Sequence, residues 1–177
     1  MGAKMIRIVN SYVQTMPSVR FAGIQYGDED RVDGGFGQQW GEWFQSNRFE
    51  PLEALIDEKY KSSYEDAEAY IGLMRCKDGE PFQYWIGMFL PENSQIPSGY
   101  DFIDIPEAKI GACWLHGPEH ELYCNEEKCA DKLKQDGLEL IMDEEGAWWF
   151  FERYACPRFT EKDEENQVIL DICHYVK

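Results

Sequence analysis

Pro106-Glu107-Ala108-Lys109-Ile110-Gly111-Ala112 stands in the second half of the chain where Pro17-Ser18-Val19-Arg20-Phe21-Ala22-Gly23 stands in the first. Each begins with a proline, which cannot donate a ladder hydrogen bond and so marks the seam between one extended run and the next. Outward from Pro106, Tyr100-Asp101-Phe102-Ile103-Asp104-Ile105 alternates as a strand, and Ala108 to Leu115 is a second strand closing at Gly117-Pro118-Glu119. Outward from Pro17, Met5-Ile6-Arg7-Ile8-Val9 with Val13 precedes, and Val19 to Tyr26 follows, closed by Gly27-Asp28. Two strands joined near Met16-Pro17 is the simplest account.

Helical periodicity follows each pair of strands. Phe36, Trp40, Trp43 and Phe44 fall at i, i+4, i+7 and i+8, so a helix within 36–49 is predicted to bury two tryptophans. A short helical stretch, Leu52 to Ile56, precedes a polar loop from Lys59 to Asp66. Glu68 to Met74 reads as a strand, Lys77 to Glu80 as a turn, and Phe82 to Phe89 as the return of a hairpin ending at Pro91. Residues 92–99 form a linker. Beyond it come a helical segment from Leu122 to Gln135, stopped by Gly137, and strands 147–154 and 167–176 flanking the polar loop 157–166. The order strand, strand, helix, strand, strand is thus read twice. It predicts an α+β fold of two duplicated halves, about 5–91 and 100–177, pairing their antiparallel sheets about a pseudo-twofold axis with a ligand cleft at the junction.

A chain of 177 residues, 44% apolar and 15% aromatic, can fill one domain and is too short for two of ordinary size, so a single unit spanning 1–177 is expected. Ten Tyr, ten Phe and six Trp exceed ordinary core demand and suit a pocket as well as a core. A net charge of −17 argues against direct nucleic-acid binding, which needs a basic face, and it enriches cations near the surface. Six cysteines without a CxxC, and no apolar run after Met1-Gly2-Ala3-Lys4, predict a reduced, cytoplasmic protein. No run of 18 apolar residues predicts a membrane span. Cys124 and Cys129 with His116 and His120 match no common zinc spacing, so neither a metal nor another cofactor is expected.

Glu152 is the lone acid of Trp148-Trp149-Phe150-Phe151-Glu152-Arg153-Tyr154, the most aromatic stretch of the chain. Alternation along a strand sends Trp149, Phe151 and Arg153 to one face and Trp148, Phe150, Glu152 and Tyr154 to the other. If the second face is solvated, Glu152 is an ordinary surface acid. If it is walled by the aromatics, the carboxylate needs a positive partner or a proton, because an isolated buried charge is costly, and it becomes a candidate counter-ion for a ligand.

The progression Tyr70-Ile71-Gly72, Tyr84-Trp85-Ile86-Gly87, Gly99 to Pro106, His116-Gly117-Pro118, Phe151-Glu152-Arg153-Tyr154 and Ile169-Leu170-Asp171-Ile172 resembles the GyrI-like small-molecule-binding family. That family also supplies the effector-binding domains of multidrug-responsive transcription regulators. The likeness runs from about Ile6 to Val176, and it rests on the order and spacing of these pieces. It implies a duplicated β-α-β-β fold whose concave sheet and two helices bracket an aromatic pocket, with flat, lipophilic cations as ligands in the drug-sensing members. Glu152, followed by Pro157, matches the place of their acidic residue, which favours the buried reading. Tyr70 and Tyr84 match pocket tyrosines, while Trp85, Trp114, Trp40 and Trp43 are weaker candidates for the same lining. Two departures stand out: no DNA-binding segment precedes residue 5, implying a sensor module without a reader, and His174-Tyr175 stands where the family shows Ile-Pro.

Three functions follow as expectations. The first is binding of a lipophilic, cationic or aromatic drug or toxin, with Glu152 neutralising its charge. The resemblance also implies an enzymatic alternative, hydrolysis of cyclopropanoid genotoxins, with Glu152 as general base and Tyr84 orienting the water or donating to the oxyanion. In the third, surface acids such as Asp143, Glu144 and Glu145 contact a protein partner, for example a topoisomerase.

Overall fold

The computed structural model describes residues 6–177; Met5, with which the sequence reading opens the first strand, lies outside them. Among the described residues, eight strands form one sheet: β1 (Arg7–Met16), β2 (Val19–Tyr26), β3 (Tyr70–Cys76), β4 (Gln83–Pro91), β5 (Asp101–Ile105), β6 (Ala108–Gly117), β7 (Trp148–Tyr154) and β8 (Val168–Val176). The α-helices are α1 (Gly37–Gln45), α2 (Glu50–Glu53), α3 (Glu58–Lys61) and α4 (Glu126–Gln135). The strand order is β1-β6-β8-β7-β3-β4-β2-β5 and every pairing is antiparallel. The α+β expectation is met, with more than twice as many residues in the sheet as in the α-helices.

That order forces the sheet to curl. β1 and β2 are consecutive in sequence, yet they do not pair: β1 lies on β6, and β2 lies between β4 and β5. In a flat sheet six strand spacings of about 4.8 Å would put them nearly 30 Å apart. Only Pro17 and Ser18 join them, and three virtual bonds reach about 11 Å at most. The same holds for β5 and β6 across Pro106-Glu107. The two proline corners therefore meet, and the Glu107 amide donates to Ser18 Oγ at 3.1 Å to join them.

Alternation then sorts side chains between the two faces. One face carries a single cluster drawn from both ends of the strand order, including Phe21, Phe89, Ile110, Phe151 and Tyr175, all buried. Phe89 and Phe151 meet edge-on at 5.1 Å although β3 lies between their strands. The other face is covered in two separate patches. Trp43, Phe49 and Leu52 from α1 and its sequel pack on Ile86, Met88 and Leu90, and Cys129 and Leu133 of α4 pack on Cys113, Leu115 and Ile172. Trp43 is fully buried and its indole N–H donates to Tyr26 at 3.0 Å, tying α1 to β2.

Two local expectations need correction. Phe44, placed on the buried face of α1 by its spacing, is 54% exposed. It sits at the open edge of an aromatic group, against Trp40, Phe49 and Tyr70, and not under the helix. The stretch read as a polar loop from Lys59 contains α3, whose N-cap Asp57 accepts the Tyr60 amide at 2.8 Å. Among the described residues no helix is long and apolar enough to cross a membrane.

Candidate functional site

Between the two helical patches, over β3 and β7, lies a pocket of about 1230 Å³. One wall is aromatic and comes from α1 and the loop before it, with Phe36, Trp40 and Phe44. The opposite wall is charged and comes from α4, with Glu126, Glu127 and Lys134. The floor is the sheet itself, where β7 contributes Trp148, Phe150, Glu152 and Tyr154. Alternation along β7 thus runs as the sequence indicates, but Glu152 itself is not solvated: it is 4% exposed, while Trp148 at the strand's start is 38% exposed.

The positive charge next to Glu152 in sequence is committed elsewhere. Arg153 points to the opposite face, where its guanidinium donates to Asp171 at 2.7 Å, Gln14 at 2.7 Å and Tyr12 at 2.9 Å. Arg158 joins the same group, bonding Asp171 and Asp66. Among the described residues no Lys or Arg pairs with Glu152; its partner is neutral. Tyr84 donates its hydroxyl proton to Glu152 Oε1 at 2.5 Å, and the Tyr84 oxygen in turn accepts the Trp40 indole N–H at 3.0 Å. Phe36 stacks on Tyr84 with centroids 4.2 Å apart and planes 2° from parallel, which fixes the phenol. Burial pushes the Glu152 carboxyl up to about 7, helped by the Glu126 charge and held back by hydrogen bonds from Tyr84 and Tyr154. Desolvation and the adjacent carboxylate raise both phenols well above their ordinary value, so they stay neutral donors.

Gly72 makes this pair possible. It faces Glu152 directly across the β3–β7 ladder. A Cβ there would stand 2.5 Å from Tyr84 Oη and 2.6 Å from Glu152 Oε1. Gly72→Ala should therefore push the two oxygens apart and cost about 1–3 kcal/mol, read as a lowered urea midpoint at unchanged slope. An unchanged midpoint would mean that both side chains move aside freely.

The pocket brings together Glu152, Tyr84, Tyr70 and Trp40 of the residues singled out in the sequence. Tyr70 stacks on Phe49 at 3.8 Å and its hydroxyl bonds Glu53. Trp40 meets Tyr154 edge-on at 4.7 Å. Three candidates lie away from it. Trp85 follows Tyr84 by one residue and so falls on the other face, against Phe21. Trp114 lies under Arg158 and bonds Tyr12, and Trp43 is core. His174, which the sequence reading noted only as a departure, lines the pocket opposite Phe150. Its position two residues from Ile172 on β8 was the available signal. Of the surface acids, Asp143 closes its own turn, accepting amides of Glu145 and Ala147 and the Trp149 indole N–H. Cys129 is buried beside Cys113 and His116 pairs with Asp163 at 2.7 Å; among the described residues no three His, Cys, Asp or Glu side chains are grouped to hold a metal ion.

No family model and no curated protein matches the chain at the level of sequence. Solved structures do match in shape. A structure of SAV2435 bound to tetraphenylphosphonium is 17% identical with a TM-score of 0.67, over 96% of this chain and 94% of that one. The EcmrR C-terminal domain is 10% identical with a TM-score of 0.58, over 95% and 97%. A hydrolase from Listeria innocua is 9% identical with a TM-score of 0.51, over 94% and 91%. Over nearly its whole length, the chain shares the fold of these structures, the fold that its resemblance to GyrI-like domains implied.

Proposed function

We propose that this protein binds lipophilic, cationic, aromatic small molecules in the pocket over β3 and β7, with Glu152 as the counter-ion. The observation that carries the reading is a buried carboxyl with a neutral hydrogen-bond donor, no basic partner among the described residues, and aromatic walls. Such a group lacks what a cation would supply. The tetraphenylphosphonium bound to SAV2435 is a ligand of that chemistry on the same fold. Faces of Trp40, Tyr154 and Phe36 offer area and cation–π attraction, each contact contributing about 0.5–2 kcal/mol once desolvated.

The same reading includes the finer architecture. The strand order reads identically in reverse when β1–β4 are exchanged for β5–β8, which supports a duplication of halves 5–91 and 100–177 about an axis between β3 and β7. The pocket would then lie on that axis, bracketed by α1 and α4, within one unit spanning the chain.

Titration calorimetry with tetraphenylphosphonium across pH tests the assignment. This cation carries its charge at every pH, so pH dependence must come from the protein. Binding favours the ionised carboxyl, and the free carboxyl takes up a proton below about 7. Affinity should rise about tenfold per pH unit below that point and level off above it, with one proton released per cation at pH near 6. Affinity flat from pH 5 to 8 would remove Glu152 as the counter-ion.

A hydrolytic reading is favoured by one further observation: a carboxyl near 7 beside a positioned phenol suits a general base at neutral pH. The hydrolase named among the structures of this fold belongs to the same comparison. Recovery of a cyclopropanoid compound with one water added, lost in Glu152→Gln, would support it; recovery unchanged leaves the binding role.

A further inference from the structure

His174 stands on β8 directly across from Phe150 of β7, and the two rings stack with centroids 5.4 Å apart and 15° between planes. It lines the same pocket as Glu152 and is 7% exposed. Among the described residues, its buried Nδ1 has no hydrogen-bond partner. On its other side β6 presents Gly111, which has no side chain to offer. Burial and the Lys134 charge push the imidazole down to about 4, so near pH 7 the ring is neutral, with one N–H and one lone pair.

A neutral imidazole gives a pure hydrocarbon cation nothing but a surface to stack on. It gives a hydroxyl or amino group a hydrogen bond, and a buried polar atom left unpaired is costly. Phe150 and Glu152 share a face of β7, so His174 is the diagonal cross-strand neighbour of Glu152, roughly 7–8 Å away. That spacing is about one aromatic ring.

We propose that His174 is a specificity-determining residue of the pocket, selecting aromatic cations that carry a hydroxyl or amino substituent about one ring away from the charge. The inference rests on the cation-binding reading above and narrows its ligand class. A site built to pair a polar group discriminates against the analogue lacking it, whereas a purely apolar wall barely does.

The test uses tetraphenylphosphonium and two triphenylphosphonium cations in which the fourth ring bears a 3- or 4-hydroxymethyl group, titrated at pH 7.5 against wild type, His174→Phe and His174→Leu. Phe keeps the stacking surface; Leu offers a second shape without a polar atom, so that one folded variant suffices. For at least one substituted cation, its affinity relative to tetraphenylphosphonium should be about three- to tenfold higher in the wild type than in either variant. Equal ratios in wild type and variants would overturn the role of His174 while leaving the pocket a cation site. Failure of all three cations to bind the wild type would sink the binding reading, and this proposal with it.

Discussion

Glu152→Gln is expected to weaken tetraphenylphosphonium binding by about 2–5 kcal/mol at pH 8, roughly 30-fold to several-thousand-fold. Gln keeps the size of the side chain and an oxygen to accept from Tyr84, so the aromatic walls are untouched. What disappears is the negative charge, and the ligand cation would then sit desolvated with only ring faces and phenol dipoles around it. The same substitution should act on the unliganded fold with the opposite sign. The folded carboxyl titrates near 7, above its ordinary value of 4.5, so the native state binds more protons than the unfolded chain between those pH values. Its stabilising contribution is full below about 4.5 and is lost as pH rises through about 7, up to about 3 kcal/mol. Glu152→Gln should therefore melt higher than wild type at pH 8 and alike at pH 4. A packing residue would lose stability at both pH values, and weaker binding together with a higher melting temperature separates the two roles.

The second large effect lies far from any chemistry. Gly87→Ala should lower stability by about 3 kcal/mol or more, or about 6–12 °C in melting temperature for a chain of this length. Gly87 and Gly23 face each other across the β2–β4 ladder. A Cβ on Gly87 would stand 1.9 Å from the Ala22 carbonyl oxygen, and one on Gly23 2.1 Å from that of Ile86. These obstacles are backbone, so relief requires moving a strand rather than turning a side chain. Gly41→Ala is the internal control: it lies inside α1, where a Cβ would meet nothing within 4 Å, and should stabilise by about 1 kcal/mol. A shift of less than about 2 °C in Gly87→Ala would mean that the strands are not held as close as described.

Strands were legible because period-2 alternation and the two proline corners are local signals. Pairing was not, because partners are set by the curl: nothing near Met16-Pro17 reveals that β1 leaves its neighbour for β6. α3 escaped because its polar residues have no apolar period, although Asp57 three residues before Tyr60 was a usable cap signal. At the candidate site, alternation assigned Glu152 and Phe150 to one face of β7 and Arg153 to the other, but it could not say which face water reaches. The same rule read on β4 separates Trp85 from Tyr84, and carrying the pocket lining over from the resemblance missed it. Gly72 and His174 were hidden for a common reason. Each acquires its role only through a cross-strand partner, Glu152 for one and Phe150 for the other.

The most direct measurement is a paired titration of the wild type at pH 8 with tetraphenylphosphonium and tetraphenylborate, which share shape and apolar surface and differ in the sign of their charge, followed by tryptophan fluorescence. Trp40 borders the pocket and reports its filling. Saturable quenching by the phosphonium, with the borate at least about a hundredfold weaker, is the result expected of an aromatic pocket with a buried carboxylate. Equal affinity for both ions, or tighter binding of the borate, would contradict it.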